Sequence, residues 1–355
     1  MVNDNKLVII NNEKVSNQSD NFYCDNIDMK SIPEGLNKNI EVSIIVRKSD
    51  IKRSHQINLN KVKIASNIFN FLFNIFKTFK HKKTNYLIIS ITPYTFFAYL
   101  FLFIFNKKIF VYLRSNGYEE YKCILGFFGP FLYHIMFTVI SWKSTLISCR
   151  SHLLNGKFGK IVSPSQLSEK WFLSHKDPDL KKIELLYVGR IKVEKGIFSL
   201  LQILKNLKTD FKLSIVPVGE NVDREKINYQ KINFINCENK NDSIIKIYDS
   251  HNIFILPSFT EGHPQVLDEA LSRLRPVIVF EEISHVKGKR EGVFVSRRDS
   301  ESLSKTIYHI MDNYHSIQKK IMKNTLPTKS DFLRQMFDII KWVLKFIIIN
   351  KDIWN

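Results

Sequence analysis

Cysteine is scarce in this chain, and acidic residues are in deficit. Cys24, Cys123, Cys149 and Cys237 stand far apart in 355 residues. None forms a C-x-x-C pair or has a matching histidine pair, so neither a zinc module nor a disulfide framework is expected, only free thiols of a reducing compartment. Asp and Glu number 34 against 53 Lys and Arg. That surplus favours anionic partners. Nucleic acid is not among those expected: zinc-finger spacings and aromatic-basic motifs are missing, and KHKK at Lys80–Lys83 is too short for a binding arm. Solenoid-length repeats, low-complexity tracts and collagen-like periods are also absent. The amino-terminal MVNDNKLVII lacks the long apolar core of a signal peptide, so a cytoplasmic location is expected.

Membrane-spanning runs are short or broken. Phe96–Phe105 (FFAYLFLFIF) has about half the length a spanning helix needs. Ile124–Ile140 approaches spanning length, but Pro130 and His134 stand in its middle. Both are expected to be buried or membrane-surface helices, with insertion as the alternative.

The length suits about two domains, and 44% apolar residues give each a core. Short β-rich runs alternate with helical patterns, as in βαβ units of a parallel sheet. The first series has strands at Leu7–Ile10, Val42–Val46, Tyr86–Ile91, Ile109–Leu113 and Thr145–Ser148, with helices near 95–106 and 124–141. HKDPDLKK, with Pro178, reads as a linker over 175–183. A second series follows, with strands at Leu185–Val188, Leu213–Val218, Ile232–Ile235, Ile253–Leu256, Val277–Phe280 and Val293–Val295, and helices near 197–207, 242–249, 264–274 and 299–313. The expected division is 1–174, the linker, 184–325, and a helical segment 326–355 that could return to the first domain. Ligands of open α/β sheets bind at the carboxyl ends of strands.

Two stretches carry chemistry. In IFILPSFTEGHPQVLDEALSRLRPVIVF (253–280) a buried strand runs into a loop bearing Glu261, and Pro264 suits the first turn of the next helix. Val266, Leu267, Ala270, Leu271 and Leu274 share one face of that helix, while Gln265, Asp268, Glu269 and Ser272 share the other. Two carboxylates there could accept hydrogen bonds from a polyhydroxylated ligand. Alternatively, Glu261 caps the helix and Glu269 is a solvated surface residue. In LLYVGRIKVEKGIFSLLQILKNL (185–207) a strand meets Gly189, then Arg190, Lys195 and Gly196 before a helix, and cations beside helix-start amides make an anion site.

Together these stretches resemble the donor domain of glycosyltransferase family 4, the retaining enzymes with the GT-B fold. YVGRIKVEKG and PSFTEGHPQVLDEA match that family's motifs in order and spacing, with lesser matches at VSPSQ (162–166) and EGVFVSRRDSESL (291–303). The resemblance covers about 184–313, and more thinly 86–172. It implies two Rossmann-like α/β domains whose parallel sheets face each other across a cleft. It also implies transfer of a sugar from a nucleotide sugar to a saccharide or lipid-linked saccharide, with retention by front-face attack, and without a metal or other cofactor. Arg190 and Lys195 would hold the donor diphosphate, Glu261 the transferred sugar and Glu269 the ribose. Gly189 and Pro264 belong to the same motifs, and amides around Gly262 and His263 would complete the sugar site.

Three departures bear on the pocket's shape. Arg273-Leu274-Arg275 stands where relatives have a small residue and glycine, VPVG with Pro217 replaces a glycine-rich turn at 213–219, and the first strand lacks a glycine-rich loop. In the first domain, Arg114 and Asn116 follow a strand and are candidates to face the cleft, in place of a histidine found in relatives. The resemblance leads to an expected role in surface polysaccharide assembly (O-antigen, capsule or lipopolysaccharide), and the positive charge and the aromatic helices imply a peripheral place on the inner, anionic face of the cell membrane. The alternatives are a catalytically impaired glycosyltransferase-like membrane subunit and a sugar-nucleotide epimerase of the same fold.

Overall fold

The computed structural model describes residues 6–19, 21–81, 83–218, 231–236 and 241–351, and of 241–242 and 342–351 the backbone only. Residues 1–5, Lys82, Gly219 and Cys237 lie outside it. The chain divides into two compact units, one of residues 1–164 with 330–355 and the other of 165–329.

In the first unit the order is β1 (Lys6–Gln18), β2 (Asn21–Cys24), α1 (Ile27–Leu36), β3 (Glu41–Lys48), β4 (His55–Ile57), β5 (Val62–Ala65) and α2 (Ile68–Phe76). Then come β6 (Thr84–Ile89), α3 (Pro93–Ile104), β7 (Lys108–Leu113), α4 (Gly117–Leu125), α5 (Gly129–Ile140), β8 (Thr145–Ser148) and β9 (Gly159–Ile161). Its parallel sheet runs β5-β3-β1-β6-β7-β8-β9. The far end of β1 leaves that sheet and pairs antiparallel with β2, which pairs with β4.

Both faces of the parallel sheet are covered, which is why its strands are continuous apolar runs rather than alternating ones. Leu7, Ile9, Leu87, Ile89, Phe110 and Tyr112 face one core with α1. Val8, Ile10, Tyr86, Ile88, Ile109 and Val111 face the other, beneath α2, α3 and α5.

The second unit contains β10 (Ile183–Gly189), α6 (Ile197–Lys205), β11 (Phe211–Pro217), β12 (Ile232–Phe234), α7 (Asn241–Asp249) and β13 (Ile253–Leu256). It continues with α8 (Gln265–Ser272), β14 (Val277–Phe280), β15 (Val293–Ser296), α9 (Ser300–Asp312) and α10 (Tyr314–Ile321). All its strands are parallel, in the order β12-β11-β10-β13-β14-β15. This is the doubly wound order, with its switch point between β10 and β13. The last helix, α11 (Lys329–Lys351), places Phe332, Met336 and Ile340 in the first unit's α1-side core.

The structure redraws three local expectations. The 124–141 stretch is not one helix: Gly126, at φ 62°, ends α4, and α5 begins at Gly129. The polar stretch from 175 is not a free linker, since the chain joins the second unit at 165, and Leu167 and Trp171 lie in that unit's core. The supposed outward face of α8 is also not solvated. Asp268 is 2% exposed and Ser272 3%. Arg290 and His263 reach Asp268, and Ser272 donates to the Glu269 carbonyl.

Arg273 and Arg275 explain the last two corrections. Both are fully buried. Arg273 binds the two carboxylate oxygens of Asp249 at 2.8 and 2.9 Å, and donates to the carbonyls of Trp171, Leu173 and Ser174 at 2.7–3.0 Å. Arg275 donates to the carbonyls of Lys176, Tyr248 and Asp249. These planar forks hold the 171–176 strand of chain against α7 and α8, which a small residue and glycine could not do. Leu274 between them takes φ 58°, a left-handed conformation costing about 1 kcal/mol in a non-glycine residue.

Candidate functional site

The candidate donor site forms where β10 and β13, neighbours in the sheet, end side by side. Beyond β10 the chain passes Arg190, turns at Val193–Lys195 and enters α6 through Gly196. Beyond β13 it runs through Pro257 to Pro264 and enters α8. Pro264 serves as the helix cap residue itself, one position ahead of the first turn.

The two loops are fastened to each other. The Phe259 N–H donates to the Glu194 carbonyl at 3.0 Å. The Tyr187 hydroxyl donates to the Arg190 carbonyl at 2.7 Å. Gly196 sits at φ 67°, and a Cβ there would fall 1.9 Å from the Pro257 carbonyl oxygen, so the backbone contact requires glycine. Arg298 reaches the same oxygen at 3.0 Å, forms an ion pair with Glu282 at 2.6 Å, and stacks its guanidinium on Phe259 and Phe280.

This fastening brings charged groups together. The Lys195 ammonium donates to Glu261 Oε1 at 2.6 Å, and the Ser258 hydroxyl donates to the same oxygen at 2.7 Å. His285 Nε2 lies 2.9 Å from the Glu261 carbonyl oxygen. Arg190 is exposed, and its guanidinium joins no ion pair among the described residues. Lys195 therefore meets a carboxylate just ahead of α6, whose first amides carry the positive end of the helix dipole, and exposed Arg190 belongs to the same loop. A diphosphate complements that set.

Glu269 lies one turn into α8 and is neither a free surface group nor paired to a cation. The Tyr248 hydroxyl donates to its Oε2 at 2.9 Å. Burial outweighs that bond, and with help from the Asp268 charge pushes the Glu269 carboxyl up to about 7. Asp268 goes the other way. Burial alone would raise it, but His263 and the Arg290 guanidinium overcome that and hold it below the usual range. The His263 side chain is thus committed to Asp268, at 3.2 Å.

In the first unit, Arg114 and Asn116 have local partners. Arg114 pairs with the buried carboxylate of Asp28 at 3.0 Å. Asn116 caps α4, accepting the Tyr118 N–H at 3.1 Å. Beside them, Glu13 accepts the N–H groups of Asp25 and Asn26 at 3.3 Å, and burial raises its carboxyl.

Sequence reading missed Tyr248, Ser258, His285 and Arg298, and in the first unit Glu13 and Asp28. Ser258 and Arg298 lie inside the stretches already singled out and could have been weighed there. Tyr248 and Glu13 left no local signal, because only the folded chain brings them to their partners.

Residues 182–313 match the family model described as glycosyl transferases group 1. A curated relative, the putative teichuronic acid biosynthesis glycosyltransferase TuaC of Bacillus subtilis (strain 168), is 30% identical over 124 residues, or 34% of this chain and 31% of that protein. The matched stretch is thus about a third of each. Among solved structures, Anabaena HepE in complex with UDP-glucose superposes with a TM-score of 0.67 at 12% identity, covering 96% of this chain and 99% of that one. The lipopolysaccharide outer core galactosyltransferase WaaB gives 0.65 at 17% identity, covering 94% and 99%. At such identities the structures speak for fold alone, and the fold is GT-B. Residues 182–313 are therefore similar to the glycosyl transferases group 1 family, within a chain of GT-B fold.

Proposed function

We propose that this chain is a retaining glycosyltransferase that moves a sugar, of hexose type, from a nucleotide-sugar donor to a saccharide or lipid-linked saccharide. The observation that carries the reading is the contact of Lys195 with Glu261, 2.6 Å apart in the loops that follow two adjacent parallel strands, with exposed Arg190 on the first of those loops. The name of TuaC, from teichuronic acid biosynthesis, and that of WaaB, from the lipopolysaccharide outer core, support a role in surface polysaccharide assembly. HepE was solved with UDP-glucose, which supports a nucleotide-sugar donor.

In this reading the acceptor hydroxyl oxygen attacks the anomeric carbon from the face the leaving group departs. The bond from that carbon to the diphosphate oxygen breaks, and the acceptor proton passes to the departing diphosphate. Arg190 and Lys195 stabilise the charge that develops there, an electrostatic effect worth about 100-fold or more in rate per group. Glu261, released from Lys195 by the donor, accepts hydroxyls of the transferred sugar. Glu269 accepts those of the ribose. The chemistry asks nothing of a bound metal, since the two cations meet the diphosphate.

The basic composition supports a further part of this reading, a peripheral position on the inner face of the cell membrane where lipid-linked acceptors would be met. The test is nucleotide release from UDP-, GDP-, ADP- and CMP-sugars by the wild type and by Glu261→Ala and Arg190→Ala. Loss of release in both variants with unchanged folding supports the reading. Undiminished release in either one removes it.

A further inference from the structure

The first unit presents a surface that its own fold leaves uncovered. α4 and α5 form an antiparallel hairpin packed closely enough to need glycine: a Cβ on Gly129 would fall 1.9 Å from the Tyr121 carbonyl oxygen, and one on Gly117 2.0 Å from the Tyr133 ring. The Tyr118 hydroxyl and His134 Nδ1, 2.9 Å apart, tie the two helices again. Gly117–Ile140 is long and apolar enough by composition to cross a membrane, yet the reversal at Gly126 makes it a short hairpin instead.

The hairpin's tip is bare. Phe127 is 92% exposed, Phe128 75% and Ile124 72%, and Leu125 and Phe131 are exposed as well. The same helical layer continues this character, with Phe69, Phe73 and Phe76 of α2 and Phe97 and Ile104 of α3 also exposed. Soluble surfaces rarely carry so much contiguous aromatic area without a partner.

Charge identifies the partner. From residue 61 to 160 there are 14 Lys and Arg and only two acids, Glu119 and Glu120. Lysines sit among these rings: Lys77 lies over exposed Phe73, Lys143 over exposed Phe103 and Lys107 over half-buried Phe79. A second copy of this chain would bring like charge against like. An anionic bilayer offers acyl chains for the rings and headgroups for the ammonium groups.

We infer that the α4–α5 hairpin is a membrane-inserting element, whose tip at Ile124–Phe131 enters the acyl boundary of an anionic lipid leaflet while the surrounding lysines bind headgroups. This rests on the proposed use of a membrane surface and names the element that makes the contact.

The test is co-sedimentation of the full chain with vesicles of phosphatidylcholine alone and of phosphatidylcholine with phosphatidylglycerol at about three to one. The Phe127→Ser/Phe128→Ser double variant is run alongside, with nucleotide release from the sugar donor and size-exclusion chromatography of both proteins. Expected are binding of the wild type to the anionic vesicles only, a loss of about tenfold or more in the variant, and unchanged nucleotide release. Undiminished binding by the variant, equal binding to both vesicle types, or no binding by the wild type overturns the inference. So does a dimer that the variant dissolves. Vesicle binding without nucleotide release would count against the enzyme reading alone.

Discussion

Lys195 and Glu261 are 66 residues apart in sequence and 2.6 Å apart in space. Each is partly screened from water, and Ser258 shares the same carboxylate oxygen. In the proposed function, this is the contact that a diphosphate and a sugar would open between them.

That contact gives the first prediction. Lys195→Ala should lower kcat about 100- to 1,000-fold if the ammonium acts on the leaving group. Its effect on stability should stay within about 1–2 kcal/mol, because Ser258 still bonds Glu261. Steady-state kinetics with urea denaturation separates the two effects. A KM effect with intact kcat would show that Lys195 binds donor without assisting departure.

Glu269 makes the site sensitive to pH. Its carboxyl is raised to about 7, so the native state holds a proton that the unfolded chain has released. Stability should then decline as pH rises from the ordinary carboxylate range to about 7 and level off above it. Glu269→Gln should flatten that slope. Ribose hydroxyls donating to the carboxylate favour the ionised form, so nucleotide binding near neutrality should release protons. Calorimetry in buffers of different ionisation enthalpy reads this directly, and binding with no proton exchange in the wild type would argue against ribose at Glu269.

Gly196 should tolerate nothing larger. At φ 67° and against the Pro257 carbonyl, Gly196→Ala combines backbone strain with a steric clash. A cost of about 2–3 kcal/mol is expected, with loss of activity beyond what stability explains. Gly156→Ala shares a positive φ of 75° but has open space around it, and serves as the control. Equal effects at the two glycines would show that the clash contributes nothing.

Arg273 offers a test of the fastened segment. Arg273→Met leaves the buried Asp249 carboxylate with Arg275, at 3.8 Å, in place of two short bonds, and frees three carbonyls. Removing one partner of such a buried pair costs about 3–5 kcal/mol. The same change at exposed Arg297 should cost less than about 0.5 kcal/mol. Urea midpoints would compare them.

Much of the fold was legible because parallel strands buried on both faces write themselves as unbroken apolar runs, as Ile253–Leu256 and Val277–Phe280 do. β1 was read only in part. Its far half, NNEKVSNQ, is mostly polar: Val15 alone of it joins the α1-side core, and its last three residues pair with β2. α1 was missed because Pro33 stands inside it. The apolar run at 124–140 concealed its break, since Gly126 is one residue among many hydrophobic ones. In the candidate site, Arg190, Lys195, Glu261 and Glu269 were legible as motif positions. What the motifs could not show was that Lys195 and Glu261 touch, that Glu269 faces a tyrosine from α7, or that Arg273 and Arg275 stand in for glycine by binding the chain that precedes β10.

The docking of α11 has a consequence for how the protein is made. Phe332, Met336 and Ile340 complete a core whose other walls come from the first 164 residues. A ribosome delivers those walls early and the missing piece only after the whole second unit has emerged. The second unit is continuous in sequence and can close as soon as it is synthesised. The first must hold an open apolar face through that interval, when nascent chains are most exposed to misassembly. Its biogenesis is thus set by the arrival of a distant helix, and chaperone dependence should follow the first unit rather than the second.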